Sequence, residues 1–322
     1  MNTLSTVFGA VLPVFALMMV GFGLRRRQWL ADGADQSLLR VCVNLLLPSL
    51  IFENVLGNAA LQSADNLLYP PLVGVATALA GMGVAWGAAK FSGLKTAGER
   101  RTFALTAGLQ NYSYIPIPLC ILLFDPGTVG VLLVHNVGVE VTLWTVGIAI
   151  LSGQGWQGGW RHILRPPLVA LVLALVLNAA GHYFPPPPLV LAVGRMVLTG
   201  IHWLGQSAIP MALLIIGAVV ADHWSELRGG GFLRVVVLAI LVRLVILPGV
   251  FLLLAKYLPC SVELKRVIVV EGAMASAVLP IALAKHYGGN TRIALLVVLG
   301  TCVAGLVATP LWIHIGAKFC GL

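Results

Sequence analysis

Three ionisable residues stand deep inside apolar runs: Arg243 within 232–255, Glu140 within 127–151 and Glu271 within 265–286. A guanidinium near the middle of a bilayer costs about 2.5–3.5 kcal/mol on insertion scales, so it needs a partner or a wet cavity. Charges buried on several helices point to a polar pathway through a membrane. Arg243 is therefore expected to pair with Glu271 or Glu140, or to meet an anionic ligand, with the structural pair favoured. Glu140 shares a helix face with Asn136, four residues earlier, whereas His135 is turned about 140° away from Glu140. His135 completes the set of intramembrane candidates as its weakest member. Glu53 is read as a solvated residue near the outer headgroups.

The densest polar signal is Gln110-Asn111-Tyr112-Ser113-Tyr114-Ile115-Pro116-Ile117-Pro118-Leu119. Pro116 and Pro118 each remove a backbone donor and clash with the preceding turn, so a continuous helix is not expected here. Broken backbone is not tolerated against lipid, so this segment must face protein or a water-filled cavity. A second run, Gly272 to Pro280, combines small residues with one proline, and small residues let two interrupted helices approach and cross. The restarted helices would offer free N–H groups and the positive end of a dipole, which suits a carboxylate anion. Asn111, Tyr112, Pro116, Pro118, Ala275, Ser276 and Pro280 are the expected ligand-binding residues. Tyr112 and Tyr114 could equally be packing aromatics, and Asn111 a cap for the broken helix.

These residues require membrane-spanning helices to hold them. The chain is 59% hydrophobic and 10% charged, with a mean hydropathy of +0.97, outside the range of soluble globular domains. Stretches near 4–24, 38–57, 67–90, 102–124, 127–151, 166–184, 196–220, 232–255, 265–286 and 292–316 are each long enough to span a bilayer. The Pro185–Pro188 run is expected to form a rigid turn at the end of the sixth. The first apolar stretch is too long for a signal-peptide core and is read as a retained helix. Arg25, Arg26, Arg27, Arg40, Lys90, Lys95, Arg100, Arg101, Arg161, Arg165, Arg228, Arg234, Lys285 and Arg292 fall on one side of ten spans. Arg195, Lys256, Lys265, Arg266 and Lys318 fall on the other. The positive-inside rule makes the first side cytoplasmic, with both termini outside and an inner-membrane location.

The net charge of +9 follows from that topology and anionic headgroups, and not from nucleic acid, because the basic residues are scattered over short loops. Cys42, Cys120, Cys302 and Cys320 lie in or beside spans and Cys260 in a loop, with no metal-ligand spacing, so all five read as structural thiols and no metal or cofactor is expected. Intramembrane enzymes need a nucleophile–base pair or paired carboxylates. The chain has no HExxH, and Gly205-Gln206-Ser207-Ala208 fails the nucleophile-elbow pattern.

A faint repeat organises the spans. Pro48 and Pro210 are 162 residues apart, Pro116 and Pro280 are 164 apart, and Glu99-Arg100-Arg101 precedes Glu263-Leu264-Lys265 by the same 164. Two halves of five spans, 1–155 and 156–322, must be inverted because five is odd, a pattern typical of secondary transporters.

With these segments in hand, the chain resembles the auxin efflux carrier family, which includes plant auxin carriers and bacterial malate and malonate permeases. Asn111 through Ile117-Pro118-Leu119 is similar to the family's Asn…Gly-Ile-Pro-Leu motif. Ala273 through Pro280, with Ala284-Lys285-His286-Tyr287, resembles its ninth span. Val43-Asn44-Leu45 to Pro48-Ser49-Leu50-Ile51-Phe52 resembles its second, and Ala308-Thr309-Pro310-Leu311 the end of its tenth. The chain departs from the family at Pro116, usually Gly, and at Ala275, often Pro. The resemblance implies an all-α polytopic membrane protein of ten transmembrane helices, with an inverted five-plus-five repeat and crossing interrupted helices 4 and 9, as in sodium–proton antiporters and bile-acid symporters. It also implies a homodimer in which spans 1, 2, 6 and 7 form a scaffold and the others a moving domain.

The expected function is elevator-type secondary transport of a small organic carboxylate. The alternative is a channel or membrane sensor on the same fold. Proton coupling fits Glu140, Glu271 and His135, whereas sodium would need several oxygen ligands that the sequence does not assign.

Overall fold

The computed structural model describes residues 4–31, 33–154, 164–183, 188–225 and 233–322, with the side chains of 188–193 outside the description. Residues 185–187 of the expected turn at Pro185–Pro188, the start of span 8 at Phe232, and Arg161 and Arg228 lie outside the described residues, and Pro188 begins a helix. All regular structure within them is helical, apart from one isolated backbone bridge.

The helices are α1 (Leu4–Arg26), α2 (Ala34–Val41), α3 (Leu47–Val55), α4 (Asp65–Ala89), α5 (Ala97–Gly108), α6 (Pro116–Leu123), α7 (Pro126–Thr142) and α8 (Ile148–Ser152). They continue with α9 (Pro166–Tyr183), α10 (Pro188–Asp222), α11 (Leu233–Leu241), α12 (Leu247–Tyr257), α13 (Val262–Gly272), α14 (Leu279–His286) and α15 (Thr291–Cys320). Three wide π-turns, Cys42–Leu46, Leu143–Gly147 and Val242–Ile246, join α2 to α3, α7 to α8 and α11 to α12 into continuous rods. Among the described residues, eight helices are then long and apolar enough to cross a membrane. Many large apolar side chains point outward, Leu12 with 69% of its surface exposed, as lipid-facing helices require. The protein is an integral, multi-pass membrane protein.

Prolines set the irregularities. Pro48 and Pro248 each follow a π-turn by two residues, where the widened turn accommodates a ring that would clash in a regular helix. Pro248 brings no N–H to the Leu244 carbonyl, which accepts from the Trp312 indole instead, at 2.6 Å. Pro116 and Pro280 sit in the first turns of α6 and α14, where no intrahelical donor is needed. The offset pair of charged motifs also lands in matching places. Glu99 lies in the first turn of α5, closed by a reciprocal Thr96–Glu99 cap, and Glu263 lies in the first turn of α13, capped by Ser261.

The helices pack in groups that also touch one another, α1 against α15 and α6, and α3 against α7. α1 lies along α10 and α3 against α9 and α10, while α4 packs on α5 and α7, α12 on α13, and α11 on α15. α1 and α10 touch backbone to backbone. A Cβ on Gly21 would come within 2.1 Å of the Leu214 oxygen, and one on Gly217 within 1.9 Å of the Met18 oxygen. Arg25, buried at the end of α1, ties α1 to α10 through an ion pair to Asp222 and to α2 through one to Asp35.

Candidate crossing of two interrupted helices

α5 stops at Gly108 and α6 restarts at Pro116, while α13 stops at Gly272 and α14 restarts at Leu279. The two gaps lie against each other and satisfy each other's backbone. The Asn111 N–H donates to the Ala275 oxygen at 2.8 Å and the Ala277 N–H to the Leu109 oxygen at 3.0 Å, flanking an antiparallel bridge between Gln110 and Ser276. Extended backbone that would be prohibitive against lipid is thus paired and buried. α15 completes the pairing: the Thr301 hydroxyl accepts from the Ser276 N–H at 3.2 Å, and the Thr309 hydroxyl donates to the Ala273 oxygen at 2.9 Å.

Arg243 reaches this junction from the π-turn between α11 and α12 and is fully buried, at 0% exposure. Its Nε donates to the Met274 oxygen at 3.0 Å and its Nη1 to the Gly108 oxygen at 3.4 Å. Its Nη2 donates to the oxygens of Gly272 and Glu271 at 3.3 and 3.5 Å. The Phe251 ring closes the other side, 5.4 Å from the guanidinium carbon. This corrects the expected carboxylate pairing. Arg243 takes the main-chain oxygen of Glu271 and makes no direct ion pair with the carboxylate, although the two charges lie close enough to attract, because the carbonyls ending α5 and α13 already provide a convergent acceptor set that a forked guanidinium matches.

The expected network of Arg243, Glu140, Glu271 and His135 is accordingly divided. Glu140 accepts from the Tyr112 hydroxyl at 2.9 Å and the Trp144 indole at 2.7 Å, and Arg165 stacks 4.2 Å over the Trp144 ring. Asn136, on the same face, donates to the Tyr112 carbonyl at 2.6 Å. α7 therefore grips Tyr112 at both its backbone and its hydroxyl, which makes Tyr112 a clamp for the broken segment. His135 is buried beside Asn136, its Nδ1 3.4 Å from the Asn136 oxygen. Glu53 is only 22% exposed and is not a free headgroup charge: His202 and Gln206 of α10 bind one of its oxygens, at 2.8 and 2.7 Å.

Several buried polar atoms at the crossing have no hydrogen-bond partner among the described residues: both carboxylate oxygens of Glu271, the whole Gln110 amide and the Ser276 hydroxyl. Gln110 lies beside the Glu271 carboxylate without completing a hydrogen bond. Unsatisfied polar groups of this kind are rare in protein interiors. Asn111, Ala275 and Ser276 meet directly, and Pro116, Pro118 and Pro280 define the restarted helices behind them.

Sequence reasoning missed Gln110, although it stands next to Asn111 in the run that drew notice. It also missed Thr301, Thr309 and Trp312, for a simple reason. A threonine in an apolar helix ordinarily bonds its own preceding turn, as Thr301 also does at 2.8 Å to the Val297 oxygen, so its type gives no warning of a second partner. Outside the spans, Asp125 caps α7 through the Thr128 N–H at 2.9 Å and pairs with Arg266 of α13. Burial raises the Asp125 carboxyl, but those two partners outweigh it and hold it below the usual aspartate value.

A family model described as membrane transport protein matches residues 6–158 and 155–313. An uncharacterized transporter of Methanothermobacter thermautotrophicus is 24% identical over 306 residues, covering 94% of this chain and 96% of that protein. The uncharacterized transporter YfdV of Escherichia coli strain K12 is 21% identical over 326 residues, covering 97% and 98%.

Proposed function

The chain belongs to the membrane transport protein family, the auxin-efflux-carrier-like group, and from that premise we propose that it carries small organic carboxylates as a secondary transporter. The observation that carries this reading is the mutual pairing of the two interrupted segments at Asn111 and Ala275, with unpartnered Gln110, Glu271 and Ser276 beside them. The anion would lie against the first turns of α6 and α14, where helix N-termini favour negative charge. Proton coupling through Glu271 fits the charge balance. With Arg243 cationic and Glu271 ionised the junction is neutral, so taking up a proton on Glu271 would compensate an incoming carboxylate.

On this reading the ten spans form two inverted halves, 1–155 and 156–322, with both termini outside the cytoplasm. The scaffold is α1, the α2–α3 rod, α9 and α10. The moving domain is α4–α8 with α11–α15, sliding elevator-fashion. The close packing of α1 and α3 on α9 and α10 supports it, as does the narrow cleft between scaffold and moving domain, lined by Leu47, Leu50, Ser113, Tyr114, Ile117 and Ala208. Membrane lipid and a second copy of the chain are the other expected partners, and nucleic acid is not.

The test is a thermal-shift screen of small mono- and dicarboxylates on the purified protein, because a ligand bound to the native state stabilises it by mass action. The ligand found is then assayed for counterflow in proteoliposomes. Saturable counterflow is expected. A conductance without counterflow would indicate a channel, and no anion-dependent shift with any carboxylate would defeat the reading.

A further inference from the structure

Arg243 puts a permanent positive charge where the backbone has already gathered negative potential. Three of its four acceptors are helix-ending carbonyls: Gly108 closes α5, and Glu271 and Gly272 close α13. The fourth, Met274, lies in the gap just beyond. The last carbonyls of a helix lack intrahelical donors and carry the negative end of its dipole. Converging carbonyls from the ends of discontinuous helices are the means by which membrane proteins coordinate a small monovalent cation. Here the guanidinium fills that position with three of its nitrogens, enclosed by Phe251, whose Cβ lies where a side chain on Gly272 would come within 2.8 Å. The Glu271 carboxylate is fully buried nearby and makes no ion pair with it among the described residues.

We propose that Arg243 is a tethered stand-in for a bound cation: its guanidinium permanently occupies the carbonyl site at the crossing, so the crossing takes no sodium. This rests on the transporter reading for its meaning, since it removes sodium at the crossing as the driving ion, but the geometry behind it is independent of any substrate. The residue is a positioning residue, joining the ends of α5 and α13 that must move together. When the side chain is removed, the four carbonyl oxygens and the Glu271 carboxylate remain as a site for a monovalent cation, with guanidinium the best-shaped occupant.

The experiment compares thermal unfolding of the full chain in detergent, in choline, sodium and guanidinium chloride at matched, low millimolar concentration. The wild-type protein is expected to melt at the same temperature in sodium and in choline. Arg243→Ala is expected to melt lower in choline and to regain about half or more of the loss, saturably, in guanidinium, with a smaller gain in sodium. A side chain that merely filled volume would give no such rescue, and Arg243→Met would then restore stability as well. Arg243→Lys keeps a cation in place and is expected to remain insensitive to sodium, which tests the idea even if the alanine protein cannot be purified. A saturable sodium-specific rise in the wild type, sodium dependence of the lysine variant, or an alanine variant indifferent to guanidinium each overturns the proposal. Because the readout is stability, these results are separable from a failure to find a carried anion.

Discussion

At the scale of residues, the protein's irregular places are made tolerable by side chains that meet unpaired backbone. Trp312 illustrates this. Its indole is the donor for the Leu244 carbonyl, to which Pro248 brings no N–H. Trp312→Phe keeps the ring and strands the carbonyl, which should cost about 1–3 kcal/mol and lower the melting temperature. An unchanged melting temperature would show that the bond contributes nothing. Asp125 makes a prediction about pH. Its folded carboxyl is held below the usual value, so its stabilising contribution is full above the ordinary aspartate range and disappears as pH falls through the depressed folded value. Wild type and Asp125→Asn should therefore differ in melting temperature near neutrality and converge in acid. The effect should be small, because Asp125 is half exposed and its partner Arg266 is screened by solvent. A gap that widens in acid would reverse the assignment.

At the scale of elements, two devices do different jobs. Interruption exposes backbone at the crossing, and close glycine contact fixes the rods around it. Gly217 of α10 lies on the Met18 carbonyl of α1, with no room for a methyl group. Replacing a helical glycine by alanine ordinarily stabilises by about 1 kcal/mol, yet here overpacking should outweigh that gain and cost about 1–3 kcal/mol net. Gly9 in α1 provides the control, since nothing lies within 4 Å of the position its Cβ would take. Gly217→Ala should lower the melting temperature and Gly9→Ala leave it equal or higher. Equal behaviour of the two would refute the contact. The π-turn at Val242–Ile246 belongs to the same scale, since it carries Arg243 on the stretch that accommodates Pro248.

At the scale of the whole molecule, the proposed scaffold and moving domain need a fixed base if one is to slide against the other. We expect that base to be a second copy of the chain, meeting the outward apolar surfaces of the α2–α3 rod and α10, where Leu45, Val41 and Trp203 are exposed. Such surfaces face lipid as readily as protein, so shape and not apolarity must decide the contact. Native mass spectrometry from a lipid-like detergent should show a dimer, and a monomer at every concentration would remove it.

Membership of a multi-pass membrane class follows from the sequence alone, because apolar runs of bilayer length have no other stable environment. The breaks at Pro116 and Pro280 were legible for the same local reason: a residue without an N–H restricts its own turn wherever it sits. So was the shared face of Asn136 and Glu140, which helical spacing fixes. The partner of Arg243 was not legible. Charge type pointed to Glu271 or Glu140, but three carbonyls ending two helices and a fourth in the gap between α13 and α14 supply the acceptors, Gly108 over 130 residues away in the chain. Every residue has a carbonyl, so no residue type announces one. Which of them become free and converge depends on where two helices stop and how they meet, and only the tertiary structure decides that.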